Sequence, residues 1–214
     1  MLKNMVKLLM VTSMEKTQNK KFFKNKIEMV ITLTIFVLCI IGFIYLGKVD
    51  FSKDKPTDSV KMSMEHPQVP EDNVYEYINA SQANNYISRS KMIILFGISN
   101  EWTGYYASIL NDVAKEVGIN KIYYYDFEED RNRNNATYQN IVSHFNNYVL
   151  HLDDGTAELY GPTLIIINEG VISLFDDETS HIHGSMKPQD YWNEYNLNLK
   201  KNTLRVALSD YKGS

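Results

Sequence analysis

The side chains that could carry out chemistry in this chain are few, and the absence of one type is informative. Cys39 is the only cysteine among the 214 residues, and it lies in an apolar stretch, where a cysteine usually behaves as a small hydrophobic residue. Residues 48–214 therefore have no side chain that could form a disulfide, a thiolate nucleophile or a thiolate metal ligand. Any chemistry there must use carboxylates, hydroxyls, histidines or the backbone.

Two histidines lie at alternate positions, in His181-Ile182-His183. Alternate side chains of an extended segment point the same way, so the pair could bind a metal together with a neighbouring carboxylate such as Asp176. A structural site normally has four ligands. His181 and His183 are therefore weak candidates, with a surface or peptide-contact role as the alternative, and we predict no metal and no cofactor.

Other catalytic arrangements are present only in outline. The run Glu128-Glu129-Asp130 supplies carboxylates for acid–base chemistry, but such runs usually form a solvated strand end. Ser99, His144 and Asp126 make a nominal Ser/His/Asp set, yet no G-x-S-x-G sequence surrounds Ser99. These patterns do not predict an enzyme, although an enzyme built on the acidic loops stays open as an alternative.

The start of the chain is typical of a membrane anchor. Residues 29–47 are nineteen residues without a charge, and a helix of that length covers roughly 28 Å, close to the ~30 Å hydrocarbon core of a bilayer. Residues 1–28 carry seven lysines and two glutamates, which predicts a cytoplasmic N-terminus and an outer C-terminal part. Since the stretch is longer than a signal-peptide core and Leu46-Gly47-Lys48 is not an A-x-A site, we predict an uncleaved single-pass anchor in the cell membrane.

The charge of the remaining chain excludes one class of partner. The formal charge of the whole chain is −4 and that of residues 1–47 is +5, which leaves −9 on residues 48–214. So acidic a domain is a poor match for nucleic acid or an anionic surface. We therefore predict no nucleic-acid partner.

The polar residues 48–72, with three prolines, are predicted to form a solvated stalk that includes His66. Residues 73–214 are predicted to form a single α/β domain, a mixed sheet flanked by helices. Alternating strands and helices favour parallel pairing, and the short turn at 168–170 forces one antiparallel pair. The predicted elements are helix 80–87 capped by Ser81, strand 92–96, helix 101–117 ending at Gly118, strand 122–127, helix 135–146, strands 164–167 and 171–175, and helix 188–208 with Tyr191, Trp192, Tyr195 and Leu199 on one stripe.

That order of elements, with the sequence Tyr160-Gly161-Pro162-Thr163 before an apolar strand and an Asn-Glu-Gly turn, resembles the thioredoxin fold over about residues 74–199. The resemblance implies a cis proline at Pro162. It also implies that Asn100, Glu101, Trp102 and Thr103 occupy the place of the C-x-x-C motif, at the start of the long helix. A second register, Thr103 to Tyr106 after Trp102, stays open.

Neither register contains a sulfur, and thiol–disulfide exchange requires thiolate attack and a mixed disulfide. The resemblance therefore implies a redox-inactive domain that binds a protein or peptide partner by backbone pairing. Glu101, Trp102 and Thr103 would line this site next to Asn100, while Gly161, Pro162 and Thr163 would form its floor.

The tail, span and domain together are similar to the membrane-tethered thioredoxin-like proteins of Gram-positive bacteria, including the bacteriocin transport accessory type. This similarity implies an accessory role in transport or secretion. The alternatives are an enzyme or metal-binding protein on the same scaffold, and a structural subunit recruited through its transmembrane helix.

Overall fold

The computed structural model describes Thr34, residues 57–182 and residues 186–214. The predicted basic tail at 1–28 and, apart from Thr34, the predicted span at 29–47 lie outside the described residues. Within the described part of the chain, no helix is long and apolar enough to cross a membrane. The membrane anchor therefore stays a prediction from sequence.

The described elements give a mixed α/β fold, as predicted. They are α1 Asp58–Glu65, β1 Tyr75–Tyr77, α2 Ala80–Tyr86, β2 Met92–Gly97, α3 Glu101–Val117, β3 Ile122–Asp126, α4 Glu128–Asn132, α5 Ala136–His144, β4 Leu150–His151, β5 Ala157–Glu158, β6 Thr163–Asn168, β7 Val171–Asp176, a 3-10 helix Glu178–His181, α6 Pro188–Tyr191 and α7 Glu194–Gly213.

Five strands form one sheet in the order β1-β3-β2-β6-β7, and β4 and β5 form a separate hairpin. β3 is parallel to β1 and β2, whereas β6 is antiparallel to both β2 and β7. The antiparallel pair predicted from the turn at 168–170 is therefore confirmed as β6–β7, whereas the parallel pairing expected between β6 and the strands before it was wrong. Because β6 is antiparallel to β2 and β3 is parallel to β2, the connection at 127–162, which contains the β4–β5 hairpin as well as helices, starts and finishes at the same end of the sheet. As a result β6 begins beside the end of β2, with Thr163 opposite Phe96.

Both faces of the sheet are covered, as the continuous apolar runs predict. Ile93 and Leu95 of β2 belong to a core shared with α1, α3 and α7. Ile94 and Phe96 belong to a second core shared with α2 and α5. Because every residue of β2 is buried, the end of this strand is a rigid base for the loops that follow it.

The long helix α3 has the boundaries that the sequence predicts. The side chain of Asn100 accepts a hydrogen bond from the backbone N–H of Thr103 at 2.8 Å, and Gly118 ends the helix with a φ of 81°, a left-handed conformation that suits glycine. The cap of α2 was predicted wrongly. Asn79 rather than Ser81 is the N-cap, because Asn79 and Gln82 each accept the other's backbone N–H in a capping box.

The predicted helix at 188–208 is two helices. The first, α6, ends at Tyr191, and Asn193 caps the second, α7, by accepting two backbone N–H groups. The break changes the face that α7 turns inward, so Tyr195 and Leu199 are 75% and 56% exposed instead of lying on the buried stripe. The buried residues of α7 are Lys200, Leu204 and Leu208.

Residues 57–72, here called the strap, pack against the domain, so the predicted stalk is wrong over this range. Met62 of α1 is fully buried and Val69 is 2% exposed, and both belong to the core. The carboxylate of Asp58 accepts the backbone N–H of Tyr77 at 3.0 Å and so ties α1 to the edge strand β1. Polar residues and prolines outnumber the apolar ones here, which is why composition alone indicated a stalk.

Candidate functional site

The predicted site starts where β2 leads into α3. Glu101 is exposed, Trp102 is half-buried and Thr103 is fully buried. The hydroxyl of Thr103 accepts the backbone N–H of Ile98 at 3.4 Å, so this residue ties the first turn of α3 to the end of β2. Glu101 and Trp102 are therefore the side chains of this turn that a partner can reach.

The second register that the resemblance leaves open, Thr103 to Tyr106, lies inside α3. Thr103 and Gly104 are buried, and Tyr106 is 1% exposed. Asn100 to Thr103, by contrast, form the cap and first turn of the helix. The strand–helix junction is thus occupied by the first register.

The loop before β6 contains the Gly161–Pro162 peptide bond, which is cis, as the resemblance implies. Gly161, Pro162 and Thr163 are buried, and the hydroxyl of Thr163 donates to the backbone oxygen of Tyr160 at 2.6 Å. A Cβ atom added to Gly161 would lie 3.3 Å from the backbone of Gly97. Glycine at this position therefore lets the loop pack closely on the end of β2.

The first turn of α3 and the proline loop meet on the same short piece of backbone, Gly97 and Ile98. A Cβ atom added to Gly97 would lie 2.7 Å from the methyl group of Thr103, and one added to Gly161 would lie 3.3 Å from the nitrogen of Ile98. Within residues 57–182 and 186–214, Gly161 makes no backbone–backbone hydrogen bond. The structure thus brings Thr103 and Gly161 to the same piece of backbone, Gly97–Ile98.

An aromatic flank supports the accessible side of this surface. The ring of Trp102 lies edge-on to that of Tyr191 at 5.7 Å between centroids, and Tyr191 is edge-on to Trp192 at 4.9 Å. The hydroxyl of Tyr191 donates to the carboxylate of Glu178. Burial and this carboxylate raise the pKa of Tyr191 above its usual value, so its hydroxyl stays a donor at neutral pH and the flank stays fixed.

A buried ion pair holds the flank against α3, and the sequence analysis missed it. The ammonium group of Lys200 lies 2.7 Å from Asp176 and 2.7 Å from Glu178, and the hydroxyl of Tyr106 donates to Asp176 at 2.6 Å. Burial, together with Asp176, raises the pKa of Tyr106. Lys200 lies four residues before Leu204 on the buried stripe, and this spacing was the signal that could have found it.

The histidine pair was a weak metal candidate, and the structure describes one of its members. His181 is partly exposed, bonds to Asp177 at 2.7 Å and lies edge-on to Tyr160 at 5.6 Å, whereas His183 lies outside the described residues. In the part of the chain that is described, no group of three or more His, Cys, Asp or Glu residues could hold a metal ion. His181 therefore lies beside the proline loop as a surface side chain.

The other nominal catalytic residues are not assembled. Glu128 begins the short helix α4 instead of ending a strand. Burial raises the pKa of the half-buried Asp126, which accepts the backbone N–H of Glu128 at 3.1 Å. Among the described residues no hydrogen bond links Ser99, His144 and Asp126.

His66 was predicted to be a solvated stalk residue, and this is wrong, because its exposed fraction is 1%. Its Nε2 atom lies 2.9 Å from the hydroxyl of Tyr124 in β3. Burial lowers the pKa of His66, an effect that Glu65 and the backbone of Asn100 partly oppose. The signal was the spacing of Met62 and His66, which lie four residues apart at the end of α1 and so share one face.

Comparison with protein-family models and with curated proteins finds no match for this chain. The functional argument therefore rests on the residues and on the geometry of the surface formed by the first turn of α3 and the proline loop, here called the α3–proline surface. This surface consists of Asn100, Glu101, Trp102, Thr103, Gly161, Pro162 and Thr163.

Proposed function

We propose that residues 57–214 form a thioredoxin-like domain without a redox centre, which binds an extended segment of a protein or peptide partner. The observation that carries this proposal is the packing of the first turn of α3 and the Gly161–Pro162 loop on the same backbone, Gly97–Ile98. The strand order β1-β3-β2-β6-β7 supports it. In thioredoxin-like proteins, the corresponding surface holds an extended peptide by backbone pairing.

The composition of the domain supports a binding role without thiol chemistry. The one cysteine of the chain is Cys39, outside the domain, whereas thiol–disulfide exchange requires a thiolate at the start of α3. Thr103, at the end of the first register, is buried and hydrogen-bonded to Ile98. What the α3–proline surface offers a partner is therefore an aromatic ring, a carboxylate and backbone groups.

Trp102 would supply most of the binding energy. Tryptophan is enriched among the residues that dominate protein interfaces, because a large rigid ring buries much apolar area at a low cost in side-chain entropy. The ring is half-buried against Tyr191, so it is held in place before a partner arrives. Glu101 beside it would set orientation, and the backbone of Gly161 would pair with the extended segment.

The place of binding follows from the start of the chain. The uncharged stretch 29–47 and the lysine-rich residues before it favour a membrane tether with the N-terminus in the cytoplasm. The domain would then capture its partner on the outer side of the membrane. An accessory role in transport or secretion is the form of this function that the family resemblance implies.

The substitution Trp102→Ala tests the proposal. The full chain with an affinity tag is purified from membranes, and the amount of co-purified partner is quantified by mass spectrometry. We expect Trp102→Ala to reduce partner recovery roughly 30-fold, the effect of losing about 2 kcal/mol at an interface hot spot. Tyr195→Ala is the matched control, because Tyr195 is an exposed aromatic residue on α7. Equal recovery with both variants, each folded by circular dichroism, would contradict the proposal.

A further inference from the structure

The strap lies directly over the first turns of α3. A Cβ atom added to Gly104 would collide with the side-chain oxygen of Gln68 and would lie 3.5 Å from the Cβ of His66. The strap therefore covers α3 on a flank adjoining Glu101 and Trp102. It is held there by the buried side chains of Met62 and Val69.

The same segment carries two buried polar atoms that make no well-formed hydrogen bond within the described residues, Nδ1 of His66, which faces the backbone of Asn100, and the side-chain oxygen of Gln68. Buried polar groups are almost always hydrogen-bonded, so this pair makes the closed position of the strap less stable than its apolar contacts alone would. The imidazole is fixed through its other nitrogen, by the 2.9 Å contact with Tyr124.

Burial favours the neutral form of the His66 ring, and this effect outweighs the opposing influence of Glu65 and the backbone of Asn100. The carboxylate facing it is Glu65, which already accepts the hydroxyl of Tyr77 at 2.6 Å and lies 3.8 Å from the ammonium group of Lys61. The charged, titratable and polar groups around the imidazole, taken element by element, are Glu65 and Lys61 of α1, Tyr77 of β1, Tyr124 and Asp126 of β3, and the backbone of Asn100 before α3. An imidazolium ion would thus have no carboxylate of its own in this position.

We propose that the strap is a pH-dependent cover on this flank of α3, closed while His66 is neutral and released when His66 is protonated. Release would uncover Gly104 and Tyr124 next to the first turn of α3. The strap would therefore regulate access to the α3–proline surface, and this consequence rests on the proposed function. The opening itself is a property of the chain without a partner.

The direction of the pH effect follows from the linkage between protonation and opening. Burial lowers the pKa of His66 in the closed strap, whereas the ring regains an ordinary pKa near 6.5 once it is released into water. The closed state is therefore fully favoured above about pH 6.5 and loses stability as the pH falls below that value. For each pKa unit between the two states, the opening equilibrium rises up to about ten-fold.

Hydrogen exchange on the full chain in detergent micelles, without any partner, tests the proposal. Exchange of peptides covering residues 62–72 and 98–106 is followed by mass spectrometry at pH 7.5 and 5.5, after correction for the intrinsic exchange rate. We expect protection of both regions to fall several-fold at pH 5.5, with an upper limit of about ten-fold set by the ordinary pKa near 6.5. Aspartates and glutamates with ordinary pKa values stay ionised in this window, so the groups that can titrate are the histidines and Asp126, whose pKa is raised by burial.

Two variants separate His66 from the other histidines. His66→Gln keeps a side chain that can hydrogen-bond to Tyr124 but cannot titrate, so its exchange should not depend on pH. His151→Gln removes an exposed histidine on the small hairpin and should behave as wild type. Two results would overturn the proposal that the strap is a pH-dependent cover: unchanged protection of the wild-type chain at pH 5.5, or the same pH response in His66→Gln. Since no partner is present in the exchange experiment, such a result would leave the binding proposal standing. Recovery of the partner with Trp102→Ala tests the binding proposal separately, so failure of one proposal can be told from failure of the other.

Discussion

Single buried polar residues decide how firmly the α3–proline surface is held. Lys200 comes from α7, Asp176 from the end of β7 and Tyr106 from α3, and their contacts of 2.6 to 2.7 Å join three elements at one point. A charge in such a place is stable only while its partners are present, because the neighbouring protein cannot replace the lost water. The aromatic flank beside Trp102 depends on the same group, since Glu178 pairs with both Lys200 and Tyr191.

Replacement of this lysine should be costly, whereas replacement of its neighbour should not. Lys200→Met leaves Asp176 buried without its counter-ion, and we expect a loss of about 3–5 kcal/mol in the free energy of unfolding. Lys201→Met is the matched control, because Lys201 pairs at 3.3 Å with the more exposed Asp112 and should change stability by about 0.5 kcal/mol or less. Urea unfolding at pH 7 measures both. Equal midpoints would show that the buried pair does not stabilise the fold.

At the residue scale, the sequence predicted which side chains come together but not how each is used. Thr103 and Gly161, from the two segments that the resemblance pointed to, both approach the backbone of Gly97–Ile98. Thr103 was expected to line the surface, yet it is buried and bonded to Ile98. Residue type and order do not reveal which way a side chain in a helix start will point, because this depends on the packing of the strand before it.

The junction of β2 with α3 is the element on which the surface is built. Gly97 ends β2 where Tyr124, Thr103 and the proline loop all approach the same backbone. The absence of a side chain at this residue is therefore a packing requirement, of the kind in which an added methyl group must displace its neighbours. A rigid junction keeps the first turn of α3 in one position relative to the loop.

We expect Gly97→Ala to destabilise the domain by about 1–3 kcal/mol, the usual cost of overpacking a filled core. The added Cβ would lie 2.6 Å from the ring of Tyr124 and 2.7 Å from the methyl group of Thr103. Gly213→Ala is the control, since nothing lies within 4 Å of a Cβ at that position. Thermal unfolding followed by circular dichroism distinguishes them. An unchanged melting temperature for Gly97→Ala would contradict the packing described here.

At the element scale, segments with a strong local sequence pattern were predictable, whereas features that depend on contacts between elements were not. The apolar runs of β2 and β6 and the end of α3 at Gly118 carry their structure in local sequence, and the predicted boundaries of these elements were within a residue or two. The direction of β6 depends on the long connection before it, and the break between α6 and α7 at Trp192 lies within a pattern that reads as one helix. Both are decided by tertiary packing rather than by local preference.

For the molecule as a whole, the strap changes where the domain begins. Residues 57–72 are polar and contain prolines, yet they place Met62 and Val69 in the core and cap the edge of β1 through Asp58. Amino-acid composition does not reveal two buried apolar side chains among many polar ones. For this reason the start of the domain was predicted at residue 73. The acidic character of the domain, by contrast, follows directly from counting residues.

Removal of the strap should weaken the whole domain. Burial of a Met or Val side chain contributes about 1.5–3 kcal/mol, so a fragment of residues 73–214 should unfold with about 3–6 kcal/mol less free energy than a fragment of residues 57–214. Urea unfolding followed by tryptophan fluorescence measures the difference. If the two fragments unfolded at the same urea concentration, the strap would be an appendage and the predicted boundary at residue 73 would be correct after all.

The measurement that tests the central claim most directly is site-specific photo-crosslinking in intact membranes. A photoreactive residue replaces Glu101, which is exposed beside Trp102, and in a second chain it replaces Glu194, which is exposed at the start of α7. We predict a discrete protein or peptide adduct from position 101 that disappears when Trp102→Ala is added, and no such adduct from position 194. An adduct from position 194 alone, or one from position 101 that survives loss of Trp102, would contradict a binding surface at the start of α3.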